Sequence, residues 1–536
     1  MPIRIEPDQP QPNRGDKKPA DNQSSGGIPT WLKLAPFLLI FVRKPGKWII
    51  ILLILFVLYY LWQNMGSLSA DQEETSGYDF EYQTQHGNDL TLGASFDQDQ
   101  YDRTLTNEPL AVGYGPSLPP SASLEQYAPR RLNQGYQGSC SGWATAYAAR
   151  TISYARASGQ NPNSVAFSPS FLYNQVALPG CQGAYMHEAV AVLRDIGSLP
   201  FKDFGYTDES CRLQPEPYDQ QNAARYRIKG YDRLTLDADD YTPDVQAIKQ
   251  YLSQGGPVVI GMMVGQTFQR NMIGKKIWNP TRQEYAGQGL GGHAMCVVGY
   301  DDQLDGGAFR IMNSWGEQWG ERGFTWVRYT DFEHFTKEAY GLYPEGPTRP
   351  TSPTTPTQPK PTSEVMAAEF GLVDPATKTF IPLKQTDEIV FRTARPVPKG
   401  QRFKIAITNN VECYVYVLGK ETDGSSYVLF PYTAKHSPYC GITGTRVFPR
   451  EESLVADQIG SRDQMAIIIS KEPLDYKTIN ATISSQRQAG YLQRLVNVLQ
   501  DKFVPSCEFK VGNTISFTCE TGGKSVLGVV IEVDKR

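Results

Sequence analysis

Between Gly346 and Ser363 the chain reads GPTRPTSPTTPTQPKPTS. Proline at every second to fourth position fixes φ, removes amide donors and pushes each preceding residue toward extended backbone, so neither a helix nor an inner strand can run through it. This predicts a semi-rigid linker, 346–363, and divides a chain of 536 residues into two bodies that each bury their own core. The first body, about 119–345, is dense in aromatics and apolar runs. The second, 364–536, carries short Val-, Ile- and Tyr-rich runs, FKIAITN, CYVYVLGK, SSYVLFPY and QMAIIIS, split by turn residues such as TDGSS. These predict antiparallel β structure. Helical periodicity follows over Gln486–Phe503, and EFKVGNTISFTCE with SVLGVVIEV predicts a closing hairpin.

A different kind of segment sits near the start. Trp48 to Trp62 carries no charge, and with Gln63 to Met65 it is long enough to cross a slightly thinned bilayer. A signal peptide is the rival reading, but no small-residue cleavage site follows. The expectation is one transmembrane helix over about 48–65. Pro36 interrupts the apolar stretch Trp31–Val42, which reads as interfacial, so 31–65 forms one membrane unit. Lys33, Arg43, Lys44 and Lys47 precede the span, whereas Asp71, Glu73, Glu74 and Asp79 follow it. The positive-inside rule then leaves a disordered tail, 1–30, in the cytoplasm. A polar stalk, 66–118, and both folded bodies fall outside, in the periplasm or beyond the cell.

Eight cysteines are present, and Cys181/Cys211, Cys413/Cys440 and Cys507/Cys519 form sequential pairs that an oxidising compartment lets close. A net charge of −4 with no basic cluster in the folded part excludes a nucleic-acid partner. No metal and no cofactor is expected.

Cys140 stands where the turn-rich NQGYQGS gives way to the helix-forming ATAYAARTISYAR. Unpaired amides and the positive end of a helix dipole favour a thiolate, although a lone cysteine is more often a small buried hydrophobe. A nucleophile needs a base, and His293 in GLGGHAMCVVGYDD precedes a β run with glycines that leave the imidazole open to a substrate. Asn313 in FRIMNSWGEQWGERGFTWV supplies an amide to fix the imidazole tautomer, with Trp315 and Trp319 to shield that bond from water.

Together NQGYQGSC, GGHAMCVVGY and NSWGEQWGERGF resemble the motifs of the papain-like (C1 family) cysteine peptidases, in the family's chain order, over about 119–345. FSPSFLYNQ and GCQGAYMHEAVAVLRDIGSLP extend the resemblance. It implies an α+β fold of two lobes, one helical and one like a β-barrel. It also implies Cys140 as nucleophile, His293 as general base and then acid, Asn313 as its orienting group and Gln134 as oxyanion donor beside the Cys140 amide. Gly183, Ala184, Tyr185, Gly292 and Trp315 would line the substrate site.

The sequence departs from the family pattern in four places. Ser141-Gly142-Trp143 replaces the usual tryptophan after the nucleophile, and Ala184 replaces a glycine. Gln137 replaces a cysteine, which redirects Cys181 to Cys211. No helical prosegment of the family type appears in 66–117. NNVECYVYVLGKETDGSSYVLFP loosely resembles a bacterial accessory domain, which implies an envelope protein partner. The expected function is a membrane-anchored endopeptidase acting on a peptide or protein outside the cytoplasmic membrane. The alternative is a catalytically silent or acyl-transferring scaffold in a bacterial cell-envelope complex.

Overall fold

The computed structural model describes residues 3–7, 90–236, 241–344, 365–504 and 506–536. The expected membrane span at 48–65, the interfacial stretch and the linker 346–363 lie outside the described residues. Among those described, no helix is long and apolar enough to cross a membrane.

The first body has a helical side and a sheet side. Three helical stretches, Cys140–Gly142, Trp143–Arg150 and Thr151–Ser158, follow one another without a break, the middle one π-helical, until Gly159 ends the run in the left-handed conformation. Every residue from Cys140 to Ser153 is buried. Ala144, Ala146, Ala148 and Ala149 keep this helix thin enough to lie between both sides of the body. At Gly142 a Cβ would press on the Pro169 carbonyl and on Tyr173. The neighbouring helix Pro169–Val176 opens with the Ser168 side chain accepting from the Phe171 amide and proline in its first turn.

The sheet is antiparallel, in the order Ile228–Arg233, Thr336–Pro344, Val258–Val264, Gly291–Asp301, Ala308–Met312, Phe324–Arg328, with Ser121–Ser123 also pairing to Gly291–Asp301. Val258–Val264 is apolar along nearly its whole length because both its faces are covered.

The second body is a β-sandwich. One sheet holds Val365–Val373, Arg402–Asn409, Glu452–Ala456 and Ile515–Glu520, and the other holds Cys413–Lys420, Arg462–Ser470 and Val526–Asp534. Phe370, Phe403, Phe430, Val417, Ile467 and Ile531 fill the space between them. Helices Tyr476–Ser485 and Tyr491–Leu499 cover the outer face of the second sheet through Ile483 and Leu495. The helical periodicity read over Gln486–Phe503 is thus a shorter helix, preceded by one that TINATISS had concealed. Glu508–Val511 and Ile515–Glu520 do form a hairpin, but Val526–Asp534 pairs with Arg462–Ser470 in the opposite sheet. Its unbroken burial needs cover on two faces, which a terminal hairpin lacks.

Three other expectations are corrected. The stalk, read as 66–118, is built into the fold from residue 90 onward. Tyr101, Thr106, Asn107 and Glu108 are buried, and Thr106 bridges Arg233 of the first body and His436 of the second. The bodies are also fastened directly by Lys229 to Glu412 and by Arg450 to Asp244. Second, Ile3–Pro7, expected in a disordered tail, adds a strand to Glu452–Ala456. A single crossing at 48–65 would put those two strands on opposite sides of the bilayer, so that pairing and a single crossing exclude each other. Third, Cys181–Cys211 and Cys507–Cys519 are closed, whereas Cys413 and Cys440 are unbridged. They face each other across antiparallel strands as buried thiols.

Candidate active site

The loop before Cys140 and the loop after the strand Ala308–Met312 interlock. The Gln134 amide donates to the Ser314 carbonyl (2.8 Å), and the Ser314 hydroxyl donates to Gln134 Oε1 (2.7 Å). The Tyr206 hydroxyl donates to the Gln134 carbonyl (2.7 Å). These contacts fix the Gln134 amide with Nε2 pointing into the cleft, and bring Asn313 to the same place. The register of Gly291–Asp301 against Val258–Val264 sets His293 opposite Met262.

His293 Nε2 lies 2.7 Å from Asn313 Oδ1, an acceptor only, so Nε2 carries the proton and Nδ1 is the free base. Asn313 Oδ1 is itself held by the Ser314 amide at 2.7 Å. Trp315 stacks on the imidazole with centroids 4.2 Å apart, and Trp319 meets Trp315 edge-on. His293 Nδ1 has no hydrogen-bond partner. The Cys140 thiol sits against the backbone of Ala294, the residue after that histidine. The structure therefore brings Gln134, Cys140, His293 and Asn313 to one point.

Both titrating groups are fully buried. Burial pushes the Cys140 thiol up to about 12, against the weaker pull of nearby backbone amides. Burial pushes His293 down to about 4, opposed by the Asn313 bond. The expected lowering of the thiol by its helix start is overridden, because desolvation acts on the full charge and the helix end supplies only a partial one. In this state both groups are neutral.

What buries them is a strap that the sequence reading took for stalk. The Thr91 carbonyl accepts from Gln134 Nε2 (3.0 Å) and from Trp315 Nε1 (3.1 Å). The Gly93 amide donates to the Gly292 carbonyl (3.1 Å), and the Gly93 carbonyl accepts from the Ala184 amide (2.9 Å). Ala94–Ser95 then pairs in parallel with Ala184–Tyr185. Gly183, Ala184, Tyr185, Gly292 and Trp315, the residues expected to line a substrate site, all meet this strap. The methyl of Ala184 does not block the cleft, since its amide still donates to the occupant. A Cβ on Gly93 would overlap the Gly138 carbonyl, so only glycine fits that close to the loop before Cys140. The alternation of Leu90, Leu92, Ala94 and Phe96 within polar text was the available signal for this strap.

Comparison with known proteins agrees with this geometry. The sequence profile of the papain family of cysteine proteases matches residues 126–342, and that of a domain of unknown function, DUF4384, matches 397–473. An uncharacterized peptidase C1-like protein of Acanthamoeba polyphaga mimivirus is 30% identical over 203 residues, covering 36% of this chain and 62% of that protein. A cysteine protease of Blomia tropicalis is 29% identical over 230 residues, covering 41% and 64%. Mouse cathepsin K is 27% identical over 200 residues, covering 36% and 54%. The chain thus spans under two thirds of the length of these curated relatives. Among solved structures, xylellain, a cysteine protease from Xylella fastidiosa, aligns with a TM-score of 0.36 at 24% identity, covering 52% of this chain and 99% of that one. By this match, residues 126–342 are similar to the papain family of cysteine proteases.

Proposed function

We propose that this chain is a cysteine endopeptidase that hydrolyses peptide bonds through Cys140, His293, Asn313 and Gln134. The observation that carries this reading is His293, with Nε2 fixed by Asn313 and Nδ1 left bare beside the Cys140 helix start. In the reaction, Nδ1 takes the thiol proton and the sulfur attacks the substrate carbonyl carbon. The oxyanion receives Gln134 Nε2–H and the Cys140 N–H, the two donors available at that point. Collapse breaks the C–N bond, and the leaving amine takes the proton from Nδ1. Water, deprotonated by the same nitrogen, then cleaves the thioester and returns the thiol. Asn313 holds the imidazolium in orientation throughout.

The chemistry requires that residues 91–96 leave the cleft first, because Thr91 and Gly93 occupy the donors a substrate needs. The apolar run at 48–65, the flanking charge asymmetry and the two closed disulfides support membrane attachment with the peptidase body outside. A bacterial envelope is the setting this reading implies, with a protein partner on the carboxy-terminal domain.

A thiol-directed epoxide or vinyl-sulfone probe tests the reading. The full chain should be labelled at Cys140 and the Cys140→Ala protein should not. Labelling that survives this substitution contradicts the reading.

A further inference from the structure

The proposed oxyanion donors, Gln134 Nε2 and the Cys140 amide, stand at the two ends of one short loop. Gly135 and Gly138 lie inside it, and Gly135 takes a φ of +66°. Glycine restrains its own backbone least, and no cysteine lies between the two donors to tie the loop. A contact from outside the loop has to set their spacing.

Tyr206 reaches both ends. Its hydroxyl donates to the Gln134 carbonyl at 2.7 Å. That uses its one proton, so in the 2.5 Å contact with Ser139 Oγ the serine hydroxyl is the donor. Gln134, Ser139 and Tyr206 are all buried, and in a low dielectric two such linked bonds strengthen each other. Ser139 opens the helix Cys140–Gly142 yet makes no side-chain capping bond to it. A serine there ordinarily accepts from a first-turn amide. With its hydroxyl turned to Tyr206, it does not compete for the amides at Cys140. The Tyr206 ring meets Trp143 edge-on, with centroids 4.8 Å apart, which fixes where the hydroxyl lies. Asp208 braces the middle of the loop. Its Oδ2 accepts from the Tyr136 amide at 3.1 Å and fills the space that a Cβ on Gly135 would need. The same segment is anchored at Cys211 by its bridge to Cys181, whose carbonyl accepts from the Gly138 amide (3.1 Å).

We propose that Tyr206 is a positioning residue for the oxyanion donors: one hydroxyl, bonded at both ends of a glycine-containing loop, sets the distance from Gln134 Nε2 to the Cys140 amide. An oxyanion needs both donors within reach at once, and a misplacement of about 1 Å costs about a hundredfold in rate. The plainer alternative is a buried tyrosine that only stabilises the fold. The inference rests on the proposed peptidase activity, and the test separates the two.

Two rates on the full chain are compared: kcat/KM for a fluorogenic peptide, and the second-order rate of iodoacetamide at Cys140. Alkylation displaces iodide from a saturated carbon and forms no oxyanion, yet it needs the same open cleft and the same thiol. A change in strap opening therefore moves both rates alike and leaves their ratio unchanged. Tyr206→Phe keeps the ring against Trp143 and should lower the ratio of hydrolysis to alkylation by about tenfold to a hundredfold. Ser139→Ala cuts the same bridge at its other end and should lower the ratio in the same range. In the Gln134→Ala background Tyr206→Phe should cost less than about threefold, because one of the two donors to be spaced is gone. A ratio unchanged by Tyr206→Phe or by Ser139→Ala, or an equal loss with and without Gln134, overturns the proposal. If no peptide is cleaved and Cys140 takes no iodoacetamide, the peptidase reading falls, and amide hydrogen exchange over 134–139 still decides whether Tyr206 holds the loop. Tyr206→Phe should speed that exchange by about tenfold, and an unchanged rate overturns the positioning role.

Discussion

His293 is positioned by its neighbours. Asn313 takes one nitrogen, Trp315 lies flat on the ring, and Nδ1 remains open. Asn313→Ala removes the tautomer lock but leaves the stack. The expected result is a kcat lower by about tenfold to a thousandfold with little change in KM; steady-state kinetics on one peptide checks it, and an effect confined to KM contradicts it. The same burial predicts a pH dependence. His293 is held at about 4 against an ordinary 6.5, so between those values an opened molecule binds more protons than the closed one. Its contribution to the closed form is complete above about pH 6.5 and is lost as pH falls toward 4. Glu338, raised from an ordinary 4.5 to about 8, has the opposite sign: its contribution is complete below 4.5 and is lost as pH rises through 8. Thermal midpoints from pH 4 to 8 check both, with a shallower acid limb in His293→Gln and a shallower alkaline limb in Glu338→Gln.

The strap is the element on which access depends. Its hold is backbone pairing to Gln134, Ala184, Gly292 and Trp315, plus the fit of Gly93 against Gly138. Gly93→Val breaks that fit, and overpacking of about 1–3 kcal/mol should speed labelling of Cys140 by about 5- to 150-fold. The second-order rate of a thiol-directed epoxide on the full chain measures this, and an unchanged rate contradicts the strap's role. The elements that carry the proposed triad could be read from sequence because each sits in a stretch whose glycines, tryptophans and chain order identify it: NQGYQGSC, GGHAMCVVGY, NSWGEQWGERGF. The strap could not. Its alternation is one short strand long, and its partners at Ala184 and Gly292 lie far along the chain. The Val526–Asp534 strand shows a second limit. Apolar composition identified a strand, but only its burial on two faces chose the sheet.

In the whole molecule the two bodies are joined by more than the proline-rich linker. Arg446 of the second body reaches the Glu108 carbonyl of the segment between them, and Gln254 of the first bonds Thr443 of the second. This arrangement and the membrane expectation meet at the amino terminus. With Ile3–Pro7 paired to Glu452–Ala456, a tag at the terminus and the accessory domain must be accessible from the same side of a membrane. With a single crossing at 48–65, they must differ. Protease accessibility of both sites in intact spheroplasts separates the two arrangements, and the pairing predicts that they agree. The most direct test of the central claim is peptide hydrolysis by the full chain carrying Gly93→Val, compared with the same protein carrying Cys140→Ala or Cys296→Ala in addition. The account predicts that hydrolysis disappears with Cys140→Ala and persists with Cys296→Ala; hydrolysis that persists undiminished without Cys140 would contradict it.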